Sequence, residues 1–467
     1  MPGDTTYTAS PRSILYTVMI GAFLSMFDSG VVNVGLPVIA SQLHVGISSV
    51  QWITSIYLLV MSALLPILGT VADEFGRRKI YNLGYFVISV FTLACGFAVN
   101  LPMLLLTRVF QAVGGAMVMA NGLAIVTENL PPASRGRNIG ILATTMAIGS
   151  IAGPPAGGLA IGLWGWRTVF FLTAVVSFAG FVASYFSIPM DRRARAGKFR
   201  FDYPGSILLI LTIVTFIYGF SNVAKLGWAN PLVAGSLVLF FVALVTFIVY
   251  ERSCERPVMD LSLFRSWTFS SSIVASLLSF ITMYSPTVLI PFYYQQVLRI
   301  SPQKSGLYMM AFPIAMALIS PFSGALSDRI GAAVLTSTGL VINGLALVLL
   351  ASITVNTPVF LILVYLALMG LSLGLFQSPN NSCIMGNVPK NKLGAANGIT
   401  QLVKNLGMVI GTAFSVTLFA VFQGRGSGDF ANSFVRSAGK VYYIAAALSF
   451  VGAVISGIRG RETGPKA

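Results

Sequence analysis

Fourteen long apolar runs divide this chain, and no water-soluble fold of its size can bury that many. They lie at about 13–39, 48–72, 80–99, 102–127, 136–162, 167–188, 203–222, 229–250, 268–294, 303–326, 332–352, 357–384, 393–423 and 438–458. Each is long enough to cross a hydrocarbon core as a helix, and in lipid the backbone polar groups have to be satisfied within the segment. Charged residues make up 9% of the 467 and hydrophobic ones 56%, too little polar surface for a soluble domain. The expected fold class is an all-α polytopic membrane protein, and the even number of spans puts both termini on one side.

Basic residues set the expected orientation. Twenty of them fall on the side of the termini, including Arg77, Arg78, Lys79, Arg135 and the series Arg192, Arg193, Arg195, Lys198 and Arg200; seven, Lys225 among them, fall on the other. Lysine and arginine accumulate in cytoplasmic loops, so the N- and C-termini are expected in the cytoplasm. The formal charge of +16 then reflects topology. Its basic residues are dispersed over short loops and not gathered into a nucleic-acid surface, so no nucleic-acid partner is expected. The first run lacks the short apolar core and cleavage site of a secretion signal and is expected to stay in place. Cys95, Cys254 and Cys383 show neither metal spacing nor a disulfide framework, and they read as small buried hydrophobes. His44, in a short outer loop, reads as a solvated surface residue. No metal or cofactor is expected.

Asp28 stands near the middle of the first run. An ionisable group at bilayer depth costs at least about 2.5 to 3.5 kcal/mol, so it is expected to face a polar cavity and find a partner. Arg108, in the fourth run, needs a partner for the same reason. Lys404, in the thirteenth, repels or balances charge in a cavity or snorkels toward the cytoplasm. Glu128, at the cytoplasmic end of the fourth run, marks the interface, pairs with Arg135 or serves as a secondary proton site. Tyr284, Gln377, Asn380, Asn381 and Gln401 are candidate cavity-lining groups, although polar side chains also tie membrane helices together.

An internal repeat organises the chain. Pro66, Gly69, Asp73, Gly76 and Gly84 recur as Pro321, Gly324, Asp328, Gly331 and Gly339, all at an offset of 255. Gly115, Asn138, Gly149 and Gly153 recur at 258 or 259 as Gly374, Asn397, Gly407 and Gly411. Six spans need only about 190 residues here, so the offset leaves room for two extra spans at about 203–250 between parallel halves. The expected domains are a six-helix bundle over 1–190, linkers with two inserted helices over 191–266, and a second six-helix bundle over 267–467. The inserted pair carries few polar groups and is expected to pack at the periphery. Repeat-built transporters hold substrate at the bilayer midplane between the halves.

The segment Gly-Thr-Val-Ala-Asp-Glu-Phe-Gly-Arg-Arg-Lys at Gly69 to Lys79 resembles the cytoplasmic signature of the major facilitator superfamily. Gly69 would permit close helix contact, Asp73 would pair with the basic cluster or a helix N-terminus, Gly76 would make the turn, and Arg77, Arg78 and Lys79 would stay in the cytoplasm. Glu74 departs from the family, which usually has a basic residue there. Arg108-Val-Phe-Gln111-Ala-Val-Gly114-Gly115 resembles the superfamily's proton-relay motif. Gly149, Gly153, Pro154, Gly157 and Gly158 are similar to the signature of its drug:proton antiporters, and their small residues suit a tight yet bendable helix contact. Phe27-Asp28-Ser-Gly-Val-Val-Asn33-Val-Gly-Leu-Pro37 resembles the first span of the fourteen-helix branch. The resemblance covers most of the chain. It implies a major facilitator fold, with Asp28 as protonatable switch, Arg108 as its modulator, and Asn33 and Gln111 among the substrate contacts.

The function so implied is proton-coupled export of amphipathic, cationic compounds by alternating access. The proton is the coupling ion, and the working unit is a monomer in a bacterial cytoplasmic membrane. Few deep acids are present, so a monocation, zwitterion or neutral substrate suits the chain better than a dication. A dedicated exporter or flippase of one metabolite or lipid is the alternative. A membrane enzyme is disfavoured, since no Ser/His/Asp set, metal cluster or phosphate loop is visible.

Overall fold

The computed structural model describes residues 10–131, 135–189, 202–227, 229–254, 258–389, 392–423 and 429–459. Arg192, Arg193, Arg195, Lys198 and Arg200 lie outside these residues, as do the side chains of Arg135, Lys225 and Asp328. Among the described residues there are fourteen helices long and apolar enough to span a membrane, one for each apolar run. They are α1 (Pro11–Gln42), α2 (Ile47–Phe75), α3 (Arg77–Gly96), α4 (Leu101–Asn129), α5 (Arg137–Trp164), α6 (Arg167–Ser187) and α7 (Tyr203–Val223). There follow α8 (Pro231–Ser253), α9 (Trp267–Val297), α10 (Pro302–Ser327), α11 (Ala332–Ala351), α12 (Val359–Gly386), α13 (Leu393–Gln423) and α14 (Phe430–Gly457).

Local chemistry sets the ends of these helices. The Asn100 side chain accepts a hydrogen bond from Met103 N at 2.9 Å, and Pro102 follows in the first turn of α4, where a missing N–H costs nothing. Asp202 caps α7 in the same way through Gly205 N, and Asn230 caps α8 through Leu232 N, each at 2.9 Å. Between α2 and α3 the chain reverses at Gly76 (φ 102°), and between α10 and α11 at Gly331 (φ 88°). An L side chain rarely adopts that backbone. The two glycines occupy matching places in the repeat.

The repeat extends to packing. In the first six helices α1 packs on α4, α5 and α6, α4 on α2 and α3, and α3 on α6. In the last six α9 packs on α12, α13 and α14, α12 on α10 and α11, and α11 on α14. Each contact in one set has its counterpart in the other. The sets meet mainly through α5 against α10 and α2 against α13.

The two sides of the molecule differ. Away from the termini one apolar cluster runs through both sets, from Leu36 and Phe170 to Phe292, Tyr294 and Phe419. There Gln295 Nε2 donates to Val34 O at 2.9 Å, joining α9 to α1. On the side of the termini a cleft of about 410 Å³ separates α2 from α13, lined by Leu65, Gly69 and Asp73 on one helix and Asn397, Gly398 and Leu402 on the other. The protein is therefore closed on the far side and open on the side of the termini.

Helix α7 lies over the seam between α2 and α13, burying Leu209, Ile213 and Ile217 in a cluster with Leu58, Leu402 and Val409. Helix α8 packs on α7 and turns Val238, Phe241, Val242 and Val245 outward. The inserted pair is thus graded: α7 braces the inter-set seam, with Leu209 reaching the rim of the cleft, while α8 is outermost. Ile217→Ala should destabilise the protein by about 2 to 5 kcal/mol, the cost of emptying a packed site, whereas Val245→Ala should leave thermal unfolding in detergent unchanged.

The connector before α9 is fastened to α13 by Asp260, whose carboxylate meets Lys392 Nζ at 2.8 Å. Burial disfavours the charged carboxyl, but hydrogen bonds from Lys392 and Ser262 outweigh it and hold Asp260 below its ordinary range. A lowered carboxyl pKa contributes stability that is present above the unfolded value and lost as pH falls through the folded one. Amide exchange over residues 258–266 should accordingly quicken below about pH 4, and Asp260→Asn should abolish that dependence.

Candidate functional site

Asp28 and Arg108 form an ion pair inside the first six helices. Asp28 is 4% exposed and Arg108 1%. Arg108 Nη1 donates to Asp28 Oδ2 at 2.9 Å and to Oδ1 at 3.2 Å. Gln111, one turn along α4 and so on the same face as Arg108, donates from Nε2 to Asp28 Oδ1 at 3.2 Å and accepts from Arg108 Nη1 at 2.8 Å. Arg108 Nε donates to Ile53 O at 3.2 Å, and the guanidinium lies 4.5 Å from the centre of the Tyr57 ring. Helices α1, α2 and α4 thus converge on one ion pair. A pocket of about 20 Å³ touches Asp28, lined also by Ser25, Tyr57, Gln111 and Ser177, enough for roughly one water.

The expected partner of Asp28 is therefore present, but the expected cavity is a small pocket within one set of helices and not the space between the sets. Helix α1 brings Asp28 to α4, and Arg108 answers it there. Gln111 and Asn33 are likewise turned inward. Asn33 is 3% exposed and its Oδ1 accepts from Thr54 Oγ1 at 3.2 Å, so in this conformation neither residue presents a group to a substrate between the halves. Asn380 is corrected in the same way: it is 1% exposed, donates to Ser272 O and accepts from Arg459 Nη2 at 2.6 Å. Tyr284, Gln377, Asn381, Gln401 and Lys404 are half-buried. The Tyr284 hydroxyl meets Ser29 of α1 across the boundary between the sets.

The small residues of α5 serve two faces. A Cβ on Gly149 would lie 2.6 Å from Phe23 O, one on Gly153 2.9 Å from Phe27 O, and one on Gly157 2.8 Å from Val31 Cα. That face is pressed against α1. The other face, at Pro154 and Gly158, meets Pro302 and Gly306 of α10. Gly407 and Gly411 repeat the first contact between α13 and α9, against Leu277, Phe280 and Ile281.

At the mouth of the cleft Asp73 binds Arg77 at 2.8 Å, and Arg77 binds Glu128 at 2.9 Å, so α2, α3 and α4 are tied by one chain of charges. Glu128 is exposed and paired with Arg77, remote from the buried pair. Arg78 Nη2 donates to Tyr185 O at 2.7 Å, fastening α3 to α6. Gly69 departs from expectation: nothing lies within 4 Å of a Cβ built on it. It borders the cleft, and no helix is close because the cleft is open.

Sequence reasoning missed several participants. Tyr57 carries no mark among the apolar residues of α2. Cys95 is buried, yet its Sγ–H lies 3.2 Å from Thr107 Oγ1 and 3.7 Å from Gln111 Oε1. In the last six helices Asn343 Nδ2 donates to Thr282 Oγ1 and Ser449 Oγ, each at 3.0 Å, making an uncharged knot between α9, α11 and α14. A lone asparagine in the eleventh apolar run was its only signal.

The Major Facilitator Superfamily profile matches residues 18–412 and 272–466. The chain belongs to the major facilitator superfamily. It is 30% identical to the riboflavin transporter RibZ of Clostridioides difficile, over 96% of this chain and 98% of that one. It is 32% identical to the multidrug resistance protein Stp of Mycobacterium tuberculosis, over 86% of this chain and 75% of that one. The solved structure of a bacterial homologue of the human lysosomal transporter Spinster, inward-facing and unoccupied, matches with a TM-score of 0.68 at 16% identity, covering 97% of this chain and 98% of that one. At that identity the likeness is one of fold. This member of the superfamily is a multi-pass membrane transporter, and its relatives include both a riboflavin transporter and a multidrug resistance protein.

Removing one partner of a buried ion pair leaves an uncompensated charge, at a cost of about 3 to 5 kcal/mol. Arg108→Gln should lower stability by that order, and combining it with Asp28→Asn should recover most of the loss. Thermal unfolding of the two single variants and the double variant measures the coupling; additive losses would show that the pair is not an energetic unit.

Proposed function

We propose that this protein is a proton-coupled exporter of amphipathic compounds in a bacterial cytoplasmic membrane, working as a monomer with both termini in the cytoplasm. The observation that carries the proposal is the Asp28–Arg108 pair: a carboxylate removed from water, with one cationic partner, is a group whose charge can be set by a single proton. Ionised, Asp28 holds Arg108 and Gln111 and draws α1 and α4 together. A proton on Asp28 removes the charge that Arg108 faces, leaving the guanidinium to Ile53 O, Gln111 and Tyr57, so the packing of α1 on α4 loosens.

Helix α1 can pass that change on. Gly30, two residues from Asp28, abuts Gly153 and Pro154 of α5, and Pro154 abuts Gly306 of α10. The route from the proton site to the far-side closure is therefore short and contiguous, and both ends can bias it. With the basic loops in the cytoplasm, the open cleft faces the cytoplasm and the conformation is ready to load an outgoing substrate.

Asp28→Asn should abolish substrate-driven proton movement in proteoliposomes while leaving insertion intact. Arg108→Ala should change the pH profile of transport, and Arg108→Lys should be milder if charge alone matters. Proton-coupled transport by Asp28→Asn at the wild-type rate would sink the assignment. A dedicated metabolite transporter is the second reading, favoured by the match to a riboflavin transporter along nearly the whole of both chains. A panel of flavins, dyes and antibiotics separates the two: saturable movement of flavins alone supports the second.

A further inference from the structure

The cation preference expected from the sequence depends on Asp28 being free to meet a substrate, and Arg108 already occupies it. The charge left over is positive. Lys404 makes no ion pair or hydrogen bond with any described residue. It stands eleven residues into α13, about 16 Å along the helix from its first residue at 1.5 Å per residue.

Its direction follows from the helix period. Asn397, Gln401, Lys404 and Met408 recur at intervals of four, three and four and share one stripe of α13. Asn397 borders the cleft between α2 and α13 and is exposed; the other three are half-buried. On the neighbouring faces Gly407 and Gly411 lie on α9, while Val409 and Leu402, which also borders the cleft, join the cluster with α2 and α7 on which Met408 packs. The stripe thus leads from the open cleft to the ammonium, passing the amide of Gln401. On α12, Gln377 and Asn381 are also half-buried, and Asn381 Oδ1 accepts no hydrogen bond from the described residues.

An ammonium held at bilayer depth without a counter-charge is costly, and a substrate that brings the missing negative charge relieves that cost. Resting on the exporter function proposed above, we propose that the transported compounds are amphipathic anions, with Lys404 as the residue that receives the anionic group and the apolar walls of the cleft receiving the remainder. A carboxylate is the simplest group of this kind, since it can accept from Nζ and from an amide N–H together.

The test uses purified full-length protein and 11-(dansylamino)undecanoic acid, whose fluorescence reports binding, beside an analogue of equal length ending in trimethylammonium. The wild type should bind the acid at least about tenfold more tightly than the ammonium compound, about 1.4 kcal/mol. Lys404→Gln should erase the difference by weakening the acid alone, and Lys404→Arg should retain most of it. Because Lys404→Gln removes an uncompensated charge, its thermal midpoint should equal or exceed that of the wild type, which separates loss of recognition from loss of fold. Equal affinities for the two probes in the wild type, or an unchanged preference in Lys404→Gln, would overturn the assignment. Proton-driven movement of the ammonium compound with no response to the acid would also overturn it while leaving proton-coupled export standing. Preference for the acid without any response to a pH gradient would uphold Lys404 and remove the coupling instead.

Discussion

Helix α5 is gripped on two faces at once, and the spacing of the whole molecule follows from that grip. Gly149, Gly153 and Gly157 let α1 come within backbone contact on one side; Pro154 and Gly158 let α10 do so on the other. In a membrane, association of helices depends on packing and hydrogen bonds more than on hydrophobic gain, so close approach is where the attraction comes from. The α1 contact lies within one set of six and can persist through a cycle. The α10 contact lies between the sets and has to part if the far side opens. One short stretch of α5 therefore borders both the seam within the first set and the seam between the two sets.

The buried ion pair has a different status. Two charges taken from water gain little net stability even when well paired, so Asp28 and Arg108 are poorly explained as mere fasteners. Gln111, Ile53 O and the Tyr57 ring complete the surroundings of the guanidinium, which leaves the carboxylate as the group whose state can change. Because the pair sits within one set and not between the two, a substrate in the cleft would affect it through the position of α1 more readily than by touching it.

Much of this was legible in the chain before any coordinates. The spans follow from run length because lipid allows the backbone no alternative, and the repeated glycines at 76 and 331 mark turns that only positive φ can make. Asp28 and Arg108 stood out because charge inside an apolar run has to be answered. The direction in which polar groups point was less legible: Asn33 by resemblance and Asn380 by its polarity look like cavity residues, yet Thr54, Ser272 and Arg459 engage them. Sequence gives a residue's depth, but its partner comes from a helix distant in the chain. Gly69 shows a second limit, since a position suited to close contact stands open in the conformation with an open cleft.

The two sets of helices share an architecture but differ in what holds their centres. The first is held by a zwitterion; the second is tied by Asn343, Thr282 and Ser449, which carry no charge. A zwitterion has no net charge for the membrane potential to act on. Once a proton neutralises the carboxylate, the guanidinium stands alone, and a full elementary charge crossing the membrane field is subject to about 2.3 kcal/mol per 100 mV. Voltage would then weigh the protonated state of the first set differently from its ionised state, while the polar knot of the second set remains electrically silent. Duplication of one six-helix unit thus leaves the two copies electrically unlike: a proton would change the charge at the centre of the first, whereas the charge deep in the second rests on Lys404, which takes no part in the polar knot.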